Sequence, residues 1–268
     1  MDHTDLLHQI PAITEFDLEW AALAEPAREP YCQQRLRTIA EDAHMGAPEF
    51  ALSAYVRVRL ANLLARGRRS ASKVEHVLNQ AVEDANRSES SIVKYETYFA
   101  AGNLMAIIDL DAAIVHLQRA LLCADPRVPE QFIRVMWTLG DLWAVSPTTY
   151  QRALLMYDWV CLASPAPIFY LLSKYQCMIR NGDVEMVKQE ASLPLTEDCS
   201  AVGRIVAARV ACRRVKAAQK AAEYGLDLAR KLRQPDWERA FRTYVPPDSP
   251  GKASFPSDYE INSWRSDQ

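Results

Sequence analysis

The chain has 268 residues, 49% of them apolar and 24% charged, with eight glycines and a net charge of −3 at neutral pH. That balance excludes a disordered or fibrous chain and describes a globular protein long enough for one large solenoid domain or two small ones. Scarce glycine and helically spaced apolar runs, with little β-branched alternation, predict an all-α protein.

Residues 1–47 are expected to form an acidic helical cap. Leu6, Leu7 and Ile10, then Phe16, Leu18, Trp20 and Leu23, supply apolar anchors around Pro11. A further helix is expected from Pro30 to about His44, with Tyr31, Leu36 and Ile39 on one face, Pro30 in its first turn and Gly46 beyond its end. The body runs from 48 to 243. Its first helix spans 48–67, between Pro48 and Gly67, and carries Phe50, Tyr55, Val58, Leu60, Ala61, Leu63 and Leu64. The next begins after Ser70-Ala71-Ser72 with Val74, Val77, Leu78 and Ala81. Two more helix pairs follow between Tyr98 and Pro165. A weaker pair then carries Phe169, Leu172, Tyr175 and Ile179, the turn Asn181-Gly182-Asp183, and Val184, Met186, Val187 and Ala191. Residues 200–243 form Ala-rich, basic cap helices, closed by a short helix from Pro235-Asp236-Trp237. From 244 to 268 four prolines predict an extended tail, either disordered or laid along the body through Phe255, Tyr259 and Trp264.

The helix pairs repeat. Met136, Leu139, Gly140 and Trp143, followed by Ala153, Tyr157 and Pro165, match Tyr98, Ala101, Gly102 and Met105, followed by Ala113, Leu117 and Pro126. Leu78, Leu117 and Tyr157 stand 39 and 40 residues apart, as do Ala81, Ala120 and Val160. A small residue lets two helices approach, large neighbours fill the groove, and proline starts the next helix. The pattern resembles the tetratricopeptide repeat, although its period is longer than that family's 34 residues and is shared by the two-helix HEAT class. The resemblance implies a right-handed α-solenoid of stacked antiparallel helix pairs, a TPR-like body with helical caps at both ends. It also implies a non-catalytic protein–protein interaction module or assembly subunit, with a peptide or protein partner in a concave groove lined by the first helix of each pair. The groove candidates are Arg59, Glu96, Phe99, Asn103, Arg134, Trp137, Asp141 and Phe169. The Lys-x3-Asn and Lys-x3-Arg pairs with which one TPR subgroup clamps a C-terminal carboxylate are missing from the expected faces.

Charge is unevenly placed. Residues 1–50 hold ten carboxylates against Arg28, Arg35 and Arg37, whereas residues 200–233 hold Arg204, Arg209, Arg213, Arg214, Lys216, Lys220, Arg230, Lys231 and Arg233 against Glu223 and Asp227. These cations are either the solvated face of a cap or a surface for nucleic acid or an acidic partner. Little aromatic interleaving favours the first reading. Asp109-x-Asp111 with His116 is a possible metal set, yet two acidic residues at a helix start are explained by the helix dipole. No hydrolase or nucleotide-binding signature occurs, so no catalytic residue, metal or cofactor is expected, and an enzyme built on scattered side chains is the last alternative. The cysteines, Cys32, Cys123, Cys161, Cys177, Cys199 and Cys212, form no C-x2-C pair and are expected as buried free thiols. Together with an N-terminus lacking signal-peptide character and the lack of a membrane-spanning run, they predict a soluble, cytoplasmic protein. Nothing in the sequence fixes the oligomeric state.

Overall fold

The computed structural model describes Leu7, residues 9–42 and residues 45–245. Among these residues there are thirteen α-helices, packed mainly against their neighbours in sequence. They fall into two compact units, Met1–Leu142 and Trp143–Gln268. The proposed extended tail lies outside the described residues, apart from Tyr244, which is buried, and Val245.

The first unit contains α1 (Pro11–Ala22), α2 (Glu25–Glu41), α3 (Ala47–Arg66), α4 (Ala71–Arg87), α5 (Ser91–Met105), α6 (Leu110–Cys123) and most of α7 (Pro129–Trp143). Local chemistry sets these boundaries. Pro11 opens α1, where its missing N–H costs nothing. Helix α2 starts earlier than expected, with Pro26 in its first turn, so Pro30 lies inside the helix. Its missing N–H leaves one carbonyl of the preceding turn without its helical donor. His44 lies outside the described residues. The Glu49 carboxylate accepts from the Gly46 N–H at 2.8 Å, tying down the start of α3. Ser90 and Asp109 cap α5 and α6 by accepting from the N–H groups of Val93 and Ala112. Asp109, Asp111 and the turn before them thus serve the start of α6.

The closest pairings in this unit are α3 with α4 and α5 with α6. Val74, Leu78 and Ala81 of α4, and Ala113, Leu117 and Ala120 of α6, are at most 2% exposed, so the residues at the repeat spacing are the core. A side chain at Gly102 would put its Cβ 2.6 Å from Leu117 Cγ; the glycine is what lets α5 and α6 approach this closely.

The second unit contains α8 (Tyr150–Ala163), α9 (Ile168–Arg180), α10 (Val184–Ser192), α11 (Cys199–Ala211), α12 (Val215–Lys231) and α13 (Pro235–Arg242). Ala153, Tyr157 and Val160 are fully buried on α8. The expected pairing of α9 with α10 is present but slight, because α10 has only nine residues; α9 packs more extensively on α11. Helix α13 closes the unit with two aromatic knobs. Trp237 lies over Gly203, where a Cβ would stand 2.4 Å from its ring, and Phe241 lies over Gly225 at 2.6 Å.

Helices α3, α9, α11 and α12 end alike, in a left-handed residue followed by an N–H that reaches back five residues. The bonds are Arg69 to the Leu64 carbonyl, Asp183 to Met178, Arg214 to Arg209 and Gln234 to Ala229. Gly182 supplies the left-handed residue once; arginine does so at Arg68, Arg213 and Arg233.

Candidate functional site

Four side chains of the expected groove or its immediate neighbourhood meet between α5 and α7. The Arg134 guanidinium lies 4.4 Å above the Phe99 ring and pairs with Glu96 at 3.3 Å. Tyr95 stacks on Phe99 with ring centres 6.1 Å apart and donates its hydroxyl to the Gln131 carbonyl at 3.0 Å. The ring face attracts the cation, and the carboxylate fixes its direction, so Arg134 is held in place while remaining 22% exposed. Asn103, one turn beyond Phe99, is exposed and donates to the Phe99 carbonyl at 3.1 Å.

Arg59 is drawn elsewhere. Its guanidinium donates to the Tyr55 hydroxyl and stands 3.4 Å from Asp17, while Tyr55 donates to the same carboxylate at 2.8 Å. The cluster ties α3 to α1 beneath Phe16, which also stacks on Tyr31 and Trp20. Arg59 therefore helps to hold α3 against α1. Trp137 and Asp141 are half-buried on α7. Phe169 belongs to the second unit, half-buried on α9 with its ring edge-on to Tyr170 at 5.7 Å.

The basic residues on α12 fall in two groups along the helix. Arg213, Arg214, Lys216 and Lys220 flank the start of α12, and Arg230, Lys231 and Arg233 its end, about 24 Å away along a seventeen-residue helix. Several also have structural tasks. Arg209 donates to the carbonyls of Ala191, Ala217 and Leu193, and burial, followed by the neighbouring Arg214, lowers its pKa. Arg204 pairs with Glu190 at 3.1 Å, Arg214 donates to Ser192, and Arg230 pairs with Asp227 and Glu238. Within this basic stretch, the exposed cations left without an ion pair among the described residues are Arg213, Arg214, Lys216, Lys220, Lys231 and Arg233. At the start of α12 they oppose the helix dipole, with no acidic residue in the first turn to offset them.

All six cysteines are free. Burial pushes the thiols of Cys32 and Cys161 up to about 12, which keeps them protonated and poor nucleophiles. The His116 pKa is lowered by burial and by Arg119.

One feature of the surface escapes the core-based reading of the sequence. Val115 and Leu122 on α6, and Leu155, Trp159 and Leu162 on α8, are exposed large apolar residues. Val115 and Leu122 precede Leu155 and Leu162 by 40 residues each, the same offset that relates Ala113 and Leu117 to Ala153 and Tyr157. The signal is a second apolar stripe roughly opposite the buried one, readable by placing every apolar residue on the helical wheel.

No protein-family model matches this chain, and no curated protein matches it. Among the described residues, no helix is long and apolar enough to cross a membrane.

Proposed function

We propose that this chain is a degenerate TPR-like repeat protein, a right-handed solenoid acting without catalysis in the cytoplasm as an interaction module or assembly subunit. The observation that carries the reading is the shared spacing of Leu78, Leu117 and Tyr157, each of them buried on a helix. A repeat of this kind spends its periodic residues on packing and leaves the first helices to recognise an extended peptide. Glu96, Phe99, Asn103 and Arg134 are the polar and aromatic groups on α5 and α7 best placed for that task. An oriented arginine on an aromatic ring suits a carboxylate or backbone carbonyl of the partner.

The test is a photo-crosslinking amino acid at Asn103 of the full chain in cells, with the same group at exposed Glu75 of α4 as the control. A discrete protein adduct at 103, absent at 75 and lost in Arg134→Glu, supports groove binding. No adduct at 103 above the control overturns it. The rival reading, nucleic acid held by the cations around α12, predicts nuclease-sensitive adducts from Lys216 and Lys231 instead.

A further inference from the structure

Leu155, Trp159 and Leu162 recur at i, i+4 and i+7 on α8, which puts them on one stripe, and they are 54%, 55% and 82% exposed. Ala153, Tyr157 and Val160 on the opposite side are fully buried. Helix α8 is thus apolar on two sides, with one of them facing solvent. Single exposed leucines are ordinary on a protein surface; a contiguous stripe that includes a tryptophan marks a contact.

Past Val245 the chain runs on through residues 246–268, whose sequence complements that stripe. Phe255, Tyr259, Ile261 and Trp264 are large and apolar, and Asp258 and Glu260 flank Tyr259. Beside the stripe, one turn before Leu155, stands Arg152, exposed and without an ion pair among the described residues. From Val245 to Phe255, extended backbone reaches roughly 33 Å at about 3.3 Å per residue. A compact unit of about 100 residues has a radius of gyration near ~13 Å, so this reach spans it.

We propose that residues 255–264 dock on the Leu155–Trp159–Leu162 stripe of the same chain, with their aromatic side chains on the stripe and Asp258 and Glu260 beside Arg152. Area favours this occupant over a second copy. Three partly exposed side chains offer roughly a few hundred Å², well short of the ~800 Å² per partner of a stable interface. A tethered segment needs less, because its effective concentration is on the order of millimolar.

The experiment places a photo-crosslinking amino acid at Leu162 of the full-length chain, and separately at Leu122 of α6, which is equally exposed at 87%. Mass spectrometry then identifies the joined peptides in an equimolar mixture of isotopically light and heavy protein. The expected result is a tail peptide joined to position 162 within chains of one isotope, several-fold above the level at 122. The cross-link should be lost, and binding of a hydrophobic dye should rise, when Phe255, Tyr259 and Trp264 are all replaced by serine. Mixed-isotope adducts would mean that a second copy covers the stripe. That result, or a tail adduct no stronger at 162 than at 122, overturns the proposal.

Discussion

Two helix contacts, α5 on α6 in the first unit and α13 on α11 and α12 in the second, both depend on a glycine beneath a larger side chain, yet they are built differently. Gly102 lies under Leu117, a residue of the partner helix in its own pair, and the same unit adds charged ties. Arg57 and Ser53 of α3 both donate to the Asp84 carboxylate of α4, at 2.8 and 2.6 Å. Gly203 and Gly225 lie instead under Trp237 and Phe241, both delivered by an eight-residue helix that belongs to no pair. The first arrangement distributes the contact over two long helices. The second concentrates it in two rings, so the loss of one ring should be felt across the unit.

The largest effect should therefore come from Phe241→Ala. Phe241 is fully buried, and removing a phenylalanine from such a site costs about 3–5 kcal/mol. Hydrogen exchange should show protection lost in α11–α13, with α3–α6 little changed. Equal loss in both units would mean that α13 is not a local clasp.

Gly102→Ala tests the other contact. Its Cβ would stand 2.6 Å from Leu117 Cγ and 3.2 Å from the Ala113 carbonyl, and this overpacking should cost about 1–3 kcal/mol in denaturant unfolding. Leu117→Ala is destabilising alone because it leaves a cavity. Combined with Gly102→Ala, it should cost less than the sum of the two, since the truncated leucine makes room for the new methyl. Strict additivity would place the two residues out of contact.

The same contrast explains what could be read from the sequence. The α5–α6 contact was legible because Gly102 and Leu117 sit at fixed places in a repeated pattern, and burial of Leu78 and Tyr157 follows from the same spacing. Short-range signals such as Asn181-Gly182, Pro235 and the Asp109 start of α6 also held, since each acts through its own turn of backbone. The place of Pro30 was missed because tertiary packing of Tyr31 and Cys32 tolerates one absent hydrogen bond within a helix. The glycine-on-aromatic clasp of α13 joins residues distant in sequence and has no local period. At the candidate site, the residue types on α5 and α7 were visible, but the pairing of Arg134 with Glu96 and Phe99 depends on how two helices that are not adjacent in sequence meet. In the basic stretch the run of cations was visible, but not that Arg204 and Arg230 pair with carboxylates, Arg209 with backbone carbonyls and Arg214 with a serine hydroxyl.

Helix ends offer a change of the opposite sign. Arg68 and Arg213, with φ of 51° and 58°, occupy the left-handed position that glycine adopts without steric cost, as Gly182 does at 99°. Arg68→Gly in the first unit and Arg213→Gly in the second should each stabilise by about 0.5–1 kcal/mol, read as a higher denaturant midpoint at unchanged slope. Arg213 also carries a charge facing the start of α12, so its replacement should gain more at low salt than Arg68→Gly does. A decrease in stability at both positions would show that the arginine side chains contribute more at these caps than the backbone strain costs.

The smallest effect separates the units by pH. All five histidines lie in the first unit, and the second has none. His116 is held neutral by burial and by Arg119, and its Nδ1 has no hydrogen-bond partner among the described residues. Its folded pKa lies below the ordinary value near 6.5, so below that pH the unfolded chain takes up a proton that the folded chain resists. This contribution to stability is present above about pH 6.5 and is lost as pH falls toward the folded pKa. Replacing His116 with phenylalanine, which keeps a ring beside Tyr98, should flatten the decline in stability between pH 7 and 5 and leave the pH response of α11–α13 unchanged. If the mutant and the parent lose stability in parallel over that range, the acid sensitivity of the first unit arises from its carboxylates and not from this imidazole.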